Sequence, residues 1–168
     1  VGKNNMPGDI VNHIFSIYPK DYKFVVAELG VGGAGNANDW PKVRSFEKYV
    51  LVDNLSAEHA KQFTLGHVTS LKSRYSFFDF YQEDTLETSK HFPDNYFDFV
   101  YIDSSHWYPD TLNELEAYKN KVKPGGWLCG HDYSEDWGDV CKSVKEFSAK
   151  MGVKVLVKGG EFGIIRTW

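Results

Sequence analysis

Residues 24–37, FVVAELGVGGAGNA, decide the fold: an apolar run ends in a cluster of glycines that opens a stretch of helical length. Gly30, Gly32 and Gly35 match G-x-G-x-x-G, with Gly33 as an extra glycine. Between a strand and a helix, such glycines permit a tight turn and let the backbone approach a ligand that a Cβ would block. Asp53 follows Gly35 by 18 residues at the end of the next apolar run, where a carboxylate can accept both hydroxyls of a ribose. Strand, loop, helix and terminal acid together predict a nucleoside site. A tight turn with Asp53 capping the next helix is the plainer alternative. Glu28, two residues before the first glycine, bears on which nucleoside. An acid at the carboxyl end of that strand sits badly beside a pyrophosphate. It suits S-adenosylmethionine, which carries a sulfonium and an ammonium and no phosphate; a solvated strand end is the alternative.

Outward from the loop, short β-branched or aromatic runs stand at 24–29, 49–53, 75–81, 97–103, 126–130, 153–157 and 162–166. Stretches of helical length separate the first six, at 35–48, 56–73, 84–91, 109–122 and 138–151. Alternation of this kind predicts an α/β fold, with helices on both faces of a largely parallel sheet. Gly159-Gly160 between the last two apolar runs signals a hairpin, so the final strand should pair antiparallel with its predecessor. Ile10, Ile14 and Ile17 recur at helical spacing, with Val11 beside them. They predict a short leading helix over residues 8–19, capped by Asp9. The whole chain, 1–168, reads as one domain with its core at 23–168.

Composition narrows the classes. At 168 residues, 42% hydrophobic and 25% charged, the chain is of ordinary globular make-up. A net charge of -4 gives no electrostatic reason for a nucleic-acid partner. No apolar run approaches the ~20 residues of a membrane span. Cys129 and Cys141 form no CxxC pair and suggest a reducing compartment; with no signal-peptide pattern in the first residues, the expected location is cytoplasmic. Aromatics make up 16% of the chain, more than a core of this size usually needs, so some are expected to line a pocket.

The ordered set AELGVGGAG, Asp53 in YVLVDN, Asp84 in YQEDT, FDFVYIDSSHWY and VKPGGWLCGHDY resembles the class I S-adenosylmethionine-dependent methyltransferases. It is similar to the small group that contains macrolide-sugar O-methyltransferases and cephalosporin-hydroxylase-like proteins. The resemblance covers residues 25–165 and implies a Rossmann-like, doubly wound seven-stranded sheet, mostly parallel with an antiparallel C-terminal strand. It implies that Glu28, Gly30, Gly32 and Gly35 hold the methionine end of the cofactor, Asp53 the ribose and Asp84 the adenine amino group, with Asp103 also among the cofactor contacts. Read from the residues, Asp84 at a strand end can accept from an exocyclic N–H, or cap a helix with Glu87 three residues on; one residue can do both.

Two further runs carry the chemistry. FDFVYIDSSHWYPD predicts a buried strand ending in Asp103, followed by a loop with Ser104, Ser105, His106, Trp107 and Tyr108. KPGGWLCGHDY predicts a turn, a buried strand, and His131 and Asp132 at its end. Adjacent parallel strands end at one rim, so Asp103, His106, His131 and Asp132 should converge. Oxygen and imidazole ligands suit Mg²⁺ or another divalent cation, with Asp103, His131 and Asp132 as the metal set. The resembling O-methyltransferases carry an acidic pair where this chain has His131-Asp132. Catalysis is expected to involve His106, Asp103 and His131, either through the metal or through His106 as general base; helix caps and solvated histidines are the alternative.

Trp40, Trp107, Tyr108, Tyr133 and Trp137 fall near the same rim and could wall the acceptor, or pack against the first helix. Trp137 lies in a polar loop able to act as a lid. His13, His59, His67 and His91 are expected at the surface. The reading is a methyltransferase acting on a small-molecule hydroxyl, with a possible homodimer completing the cleft. Its rivals are a nicotinamide-dependent oxidoreductase and a non-catalytic nucleoside-binding module.

Overall fold

In the computed structural model the described residues are 7–168, without the side chains of His59 and Trp137. Seven strands form one sheet: β1 (Lys23–Leu29), β2 (Ser45–Val52), β3 (Phe78–Tyr81), β4 (Phe97–Ile102), β5 (Val122–Gly130), β6 (Leu156–Lys158) and β7 (Glu161–Ile165). Six helices accompany them: α1 (Asp9–Ile17), α2 (Gly35–Asp39), α3 (Glu58–Arg74), α4 (Thr85–Ser89), α5 (Asp110–Tyr118) and α6 (Gly138–Met151). The sheet order is β3-β2-β1-β4-β5-β7-β6. β1 to β5 pair in parallel, whereas β7 is antiparallel to both β5 and β6. The doubly wound sheet and the closing hairpin are as the sequence predicts. β7 inserts between β5 and β6 instead of adding at the edge.

Alternation along the strands divides the core in two, because successive side chains point to opposite faces. Phe24 and Val26 of β1, Tyr49 and Leu51 of β2, and Phe99 and Tyr101 of β4 join α1 and α3 on one face. Ala27 and Leu29, Val50 and Val52, and Val100 and Ile102 join α5 and α6 on the other. β4 is buried along its whole length, the pattern of a central parallel strand.

Several boundaries differ from expectation. The helix expected over 35–48 is only α2 followed by a 3-10 turn at Trp40–Lys42, and β2 already begins at Ser45. Pro41 in that turn lacks the N–H a continuing α-helix would need. The stretch expected as helix over 109–122 is α5 ending at Tyr118, and Val122 opens β5. In the leading helix Gly8 occupies the cap position and Asp9 is the first helical residue, with no side-chain cap bond. Asp9 still complements the positive end of the helix. Ile17 is exposed; Phe15 takes the fourth place on the buried face, beside Ile10, Val11 and Ile14.

Many of the aromatics are core residues, and Phe15 gathers several of them. It packs against Phe24, Trp40, Phe46 and Phe99 in a cluster beneath α1. Trp40 is buried and stacks on Tyr49 at 5.7 Å, so it belongs to the core and not to the rim.

Candidate functional site

The carboxyl ends of β1, β2 and β4 border a cavity of about 440 Å³, lined by Gly30, Gly32, Asp53, Asp84, Asp103 and Glu114 among others. A cleft outside the carboxyl ends of such strands, where the strand order reverses, is where open α/β sheets bind ligands. Gly30 has φ of 85°, and a Cβ there would overlap the backbone of Asp103. That residue is therefore restricted to glycine both by conformation and by space.

Asp53 ties the loop together. Its Oδ2 accepts from the backbone N–H groups of Val31 at 3.0 Å and Gly32 at 3.3 Å, and its Oδ1 accepts from Leu55 N–H at 2.8 Å. A carboxylate has about four acceptor positions, so hydroxyl donors can still reach it from the cavity. Asp84 uses Oδ1 to cap α4, accepting from Leu86 at 2.9 Å and Glu87 at 3.3 Å. The reciprocal half of a capping box is missing, since Glu87 pairs with Lys90. Asp84 also faces the cavity, so capping and lining coexist.

Glu28 and Gly35 are the cofactor candidates that do not line the cavity. Gly35 is the first residue of α2. Glu28 is buried, neither facing the cleft nor solvated. Its Oε2 accepts from Tyr49 Oη at 2.7 Å and its Oε1 from Asn36 Nδ2 at 3.0 Å. Burial pushes its carboxyl up to about 8, against the pull of the Tyr49 and Asn36 hydrogen bonds and with a push from Asp103. At neutral pH Glu28 is therefore mostly uncharged, and the charge argument for a cationic ligand passes to the acids that do line the cavity.

The second constellation assembles as expected. His106 Nε2 lies 2.7 Å from Asp132 Oδ2 and 3.6 Å from Asp103 Oδ1, and His131 Nδ1 lies 2.9 Å from Asp132 Oδ1. Asp103, His131 and Asp132 each offer one ligand atom, all within 4.8 Å of one another. Oxygen and imidazole donors at that spacing fit a divalent cation. Asp132 sits in the left-handed region at φ 57°, which turns its carboxylate back toward the cluster from the end of β5. Burial raises the Asp103 carboxyl to about 6, opposed by His131 and His106 and reinforced by Asp132. Asp103 lines the cavity and the cluster alike, and so joins the two.

Among the described residues, no aromatic lines the cavity. Tyr108 is held on α6: its Oη donates to Glu146 at 3.1 Å and Lys142 Nζ lies 3.4 Å from the ring centroid. Tyr133 packs on Phe162, and Trp107, next to His106, projects into solvent. Trp137, expected in a lid, has its side chain outside the described residues, as does His59. His91 bonds Glu83 at 2.8 Å, and His13 stands edge-on to Trp127; neither joins the site.

Glu114 was not legible as a site residue. It is buried on α5, and its Oε1 accepts from Ser104 Oγ at 2.5 Å and Thr85 Oγ1 at 2.7 Å. The available signal was an acid on the same helical face as Thr111, Leu115 and Tyr118, all buried.

A family model described as a methyltransferase domain matches residues 28–133. None of the curated proteins matches the chain. Among solved structures, a protein of Corynebacterium glutamicum superposes with a TM-score of 0.68 at 13% identity, covering 97% of this chain and 83% of its own. A caffeoyl-CoA O-methyltransferase-like protein of Staphylococcus aureus gives 0.70 at 12% identity, covering 94% of this chain and 81% of its own. The MycE methyltransferase of the mycinamycin pathway, solved with Mg and SAH, gives 0.66 at 16% identity over 94% of this chain. This chain spans 48% of the length of MycE. At such identities the superpositions show a shared fold.

Proposed function

The chain belongs to the methyltransferase-domain family, and on that premise we propose that it transfers a methyl group from S-adenosylmethionine to a hydroxyl of a small molecule, with a divalent cation assisting. The observation that carries the cofactor reading is the charge of the cavity wall. Asp53, Asp84, Asp103, Asp110 and Glu114 line it, and among the described residues no Lys, Arg or His does. A nicotinamide dinucleotide would place a pyrophosphate against those acids. S-adenosylmethionine places an ammonium and a sulfonium there instead.

Asp53, with acceptor capacity left over from the loop amides, receives the ribose hydroxyls, and Asp84 the adenine amino group. Gly30 and Gly32 give the backbone close approach, while Glu28 acts through Asn36 on the start of α2. When bound, S-adenosylmethionine supplies a methyl group already activated by its positive sulfur. The chain's own task is to align the acceptor, keep out water and take up a proton. His106, 2.7 Å from Asp132 and 3.6 Å from Asp103, is an imidazole flanked by two carboxylates and placed to take up that proton. Asp103, His131 and Asp132 would hold a divalent cation, which would supply Lewis-acid polarisation of the acceptor oxygen. The Mg and SAH of the MycE structure support that set by analogy of fold. The acceptor is a small molecule, not a nucleic acid, and a second copy of the chain is one way to close the open cleft.

Methyl transfer from labelled S-adenosylmethionine to a panel of sugars and phenols, with Mg²⁺ or with a chelator, tests the reading. Label in an acceptor together with S-adenosylhomocysteine release is the expected result. Calorimetric binding of NAD in place of S-adenosylhomocysteine would overturn it. Tight S-adenosylhomocysteine binding without turnover on any acceptor would favour a non-catalytic nucleoside-binding module.

A further inference from the structure

A purine ring offers mostly hydrogen-bond acceptors, and the cavity is poor in side chains that donate. Among the described lining residues, side-chain N–H or O–H groups come from Asn54, Ser56, Thr85, Ser104, Ser105 and Asn113. Thr85 Oγ1 and Ser104 Oγ donate to Glu114 Oε1 at 2.7 Å and 2.5 Å, and Ser105 Oγ donates to Asp110 Oδ2 at 2.7 Å. Those hydroxyls are committed to the protein's own acids. Asn54 and Ser56 form the turn after β2, where Asn54 Oδ1 accepts from Ser56 N–H at 2.9 Å, next in sequence to Asp53.

Asn113 comes from α5. It lies one turn beyond Asp110 and next to Glu114, whose contact with Thr85 brings this part of the helix against the residue that follows Asp84. Its backbone N–H donates to Pro109 O at 2.9 Å, so the first turn of the helix fixes its place. The residue lines the cavity and is exposed, and its carboxamide makes no hydrogen bond with the described residues. An unengaged donor and an unengaged acceptor therefore stand side by side on a wall otherwise rich in carboxylates.

We infer that Asn113 reads the base of the nucleoside: its Oδ1 accepts from the amino group of adenine while its Nδ2 donates to a ring nitrogen flanking that group. The inference rests on the S-adenosylmethionine reading above and deepens it. A carboxamide presents one acceptor and one donor in a single plane, the complement of adenine's amino donor and ring-nitrogen acceptor, and asparagine pairs with adenine in this way in nucleic-acid grooves. Asp84 lines the same cavity, and an adenine amino group has two N–H bonds, so Asp84 and Asn113 each take one. An ionised carboxylate only accepts, which leaves Asn113 to supply the donor.

The test is calorimetric titration of the wild-type chain, Asn113→Ala and Asn113→Asp with S-adenosylhomocysteine and with its 1-deaza and 7-deaza analogues. Each analogue replaces one ring nitrogen flanking the amino group by C–H. Wild type should bind S-adenosylhomocysteine tighter by about fivefold or more than the analogue that lacks the nitrogen paired with Asn113. Asn113→Ala should bind S-adenosylhomocysteine weaker by about fivefold or more, and should no longer distinguish it from that analogue beyond about twofold. Asn113→Asp keeps the size and an acceptor but has no donor, and should bind at least as weakly as Asn113→Ala. Asn113 is exposed, so both variants should keep the wild-type thermal midpoint, which assigns the weaker binding to the lost contact. Equal wild-type affinity for all three ligands, an Asn113→Ala affinity within about twofold of wild type, or discrimination that survives in Asn113→Ala would overturn the assignment. Failure of the folded wild-type chain to bind S-adenosylhomocysteine would overturn the cofactor reading itself, before any substitution is compared.

Discussion

Glu161 Oε2 accepts a hydrogen bond from the backbone N–H of Ile10 at 2.7 Å, across 151 positions of sequence. The first residue of β7 thereby caps the leading helix, which has no side-chain cap of its own. The other oxygen of Glu161 accepts from Tyr101 Oη on β4 at 2.7 Å, so one buried carboxylate ties α1, the central strand and the hairpin together.

Glu161→Ala should therefore destabilise the chain by roughly 3 kcal/mol, since it strands a buried hydroxyl and a helix N–H at once. Glu161→Gln should cost about half as much, because the amide can accept only one of the two donors. Gly8→Ala should also destabilise, as a Cβ there would overlap the Glu161 carboxylate. Urea unfolding of the three variants checks this; a Glu161→Ala midpoint equal to wild type would refute the tie.

Glu28 makes stability depend on pH. Its folded carboxyl is raised to about 8 from an ordinary value of 4.5, so between those limits the native state holds a proton that the unfolded chain has lost. Its contribution is fully present below about pH 4.5 and is lost as the pH rises through about 8, with a slope of at most ~1.4 kcal/mol per pH unit. Glu28→Gln should flatten the stability profile over that window. An unchanged slope in denaturant melts across the window would show that Glu28 does not titrate as described.

Much of this architecture was legible because the sequence signals were local. The glycine loop, the alternating apolar runs and Asp53 each follow from a short stretch of chain, as does Gly159-Gly160 at the hairpin. The convergence of Asp103, His106, His131 and Asp132 was legible as well, because parallel neighbours end at one rim. What escaped depended on partners far away. Whether Trp40 lies in a cleft or in the core depends on Phe15 and Tyr49, which approach it from separate elements. Glu28 reads as an exposed acid at a strand end until Tyr49 and Asn36 are seen to enclose it. The Glu161 cap on α1 and the pairing of Glu114 with Thr85 and Ser104 leave no pattern in spacing.

Asp53 should prove the strongest single determinant of cofactor binding. Besides facing the cavity, it holds the N–H groups of Val31 and Gly32 in place, so its loss removes a ligand contact and loosens the loop. Asp53→Ala should weaken S-adenosylhomocysteine binding by about tenfold to a hundredfold, the value of one or two charge-assisted hydrogen bonds. Asp53→Asn should fall between the two. Calorimetry decides: an Asp53→Ala affinity within about twofold of wild type would remove Asp53 from the site.

The metal set can be tested without any acceptor. Asp132 occupies a left-handed backbone conformation, φ 57°, so an alanine there would add strain to the loss of a ligand. Asn tolerates that conformation and keeps an oxygen, while removing the charge that pairs with His106 and His131. Asp132→Asn should weaken Mn²⁺ binding by about tenfold or more with little change in thermal stability, and Asp103→Asn should do the same from β4. His131→Ala separates the remaining possibilities. If the imidazole is a ligand, Mn²⁺ affinity falls with it; if it only pairs with Asp132, affinity is retained. Wild-type protein that binds no Mn²⁺ in calorimetry or electron paramagnetic resonance would leave His106, between Asp103 and Asp132, as the base that carries the proton.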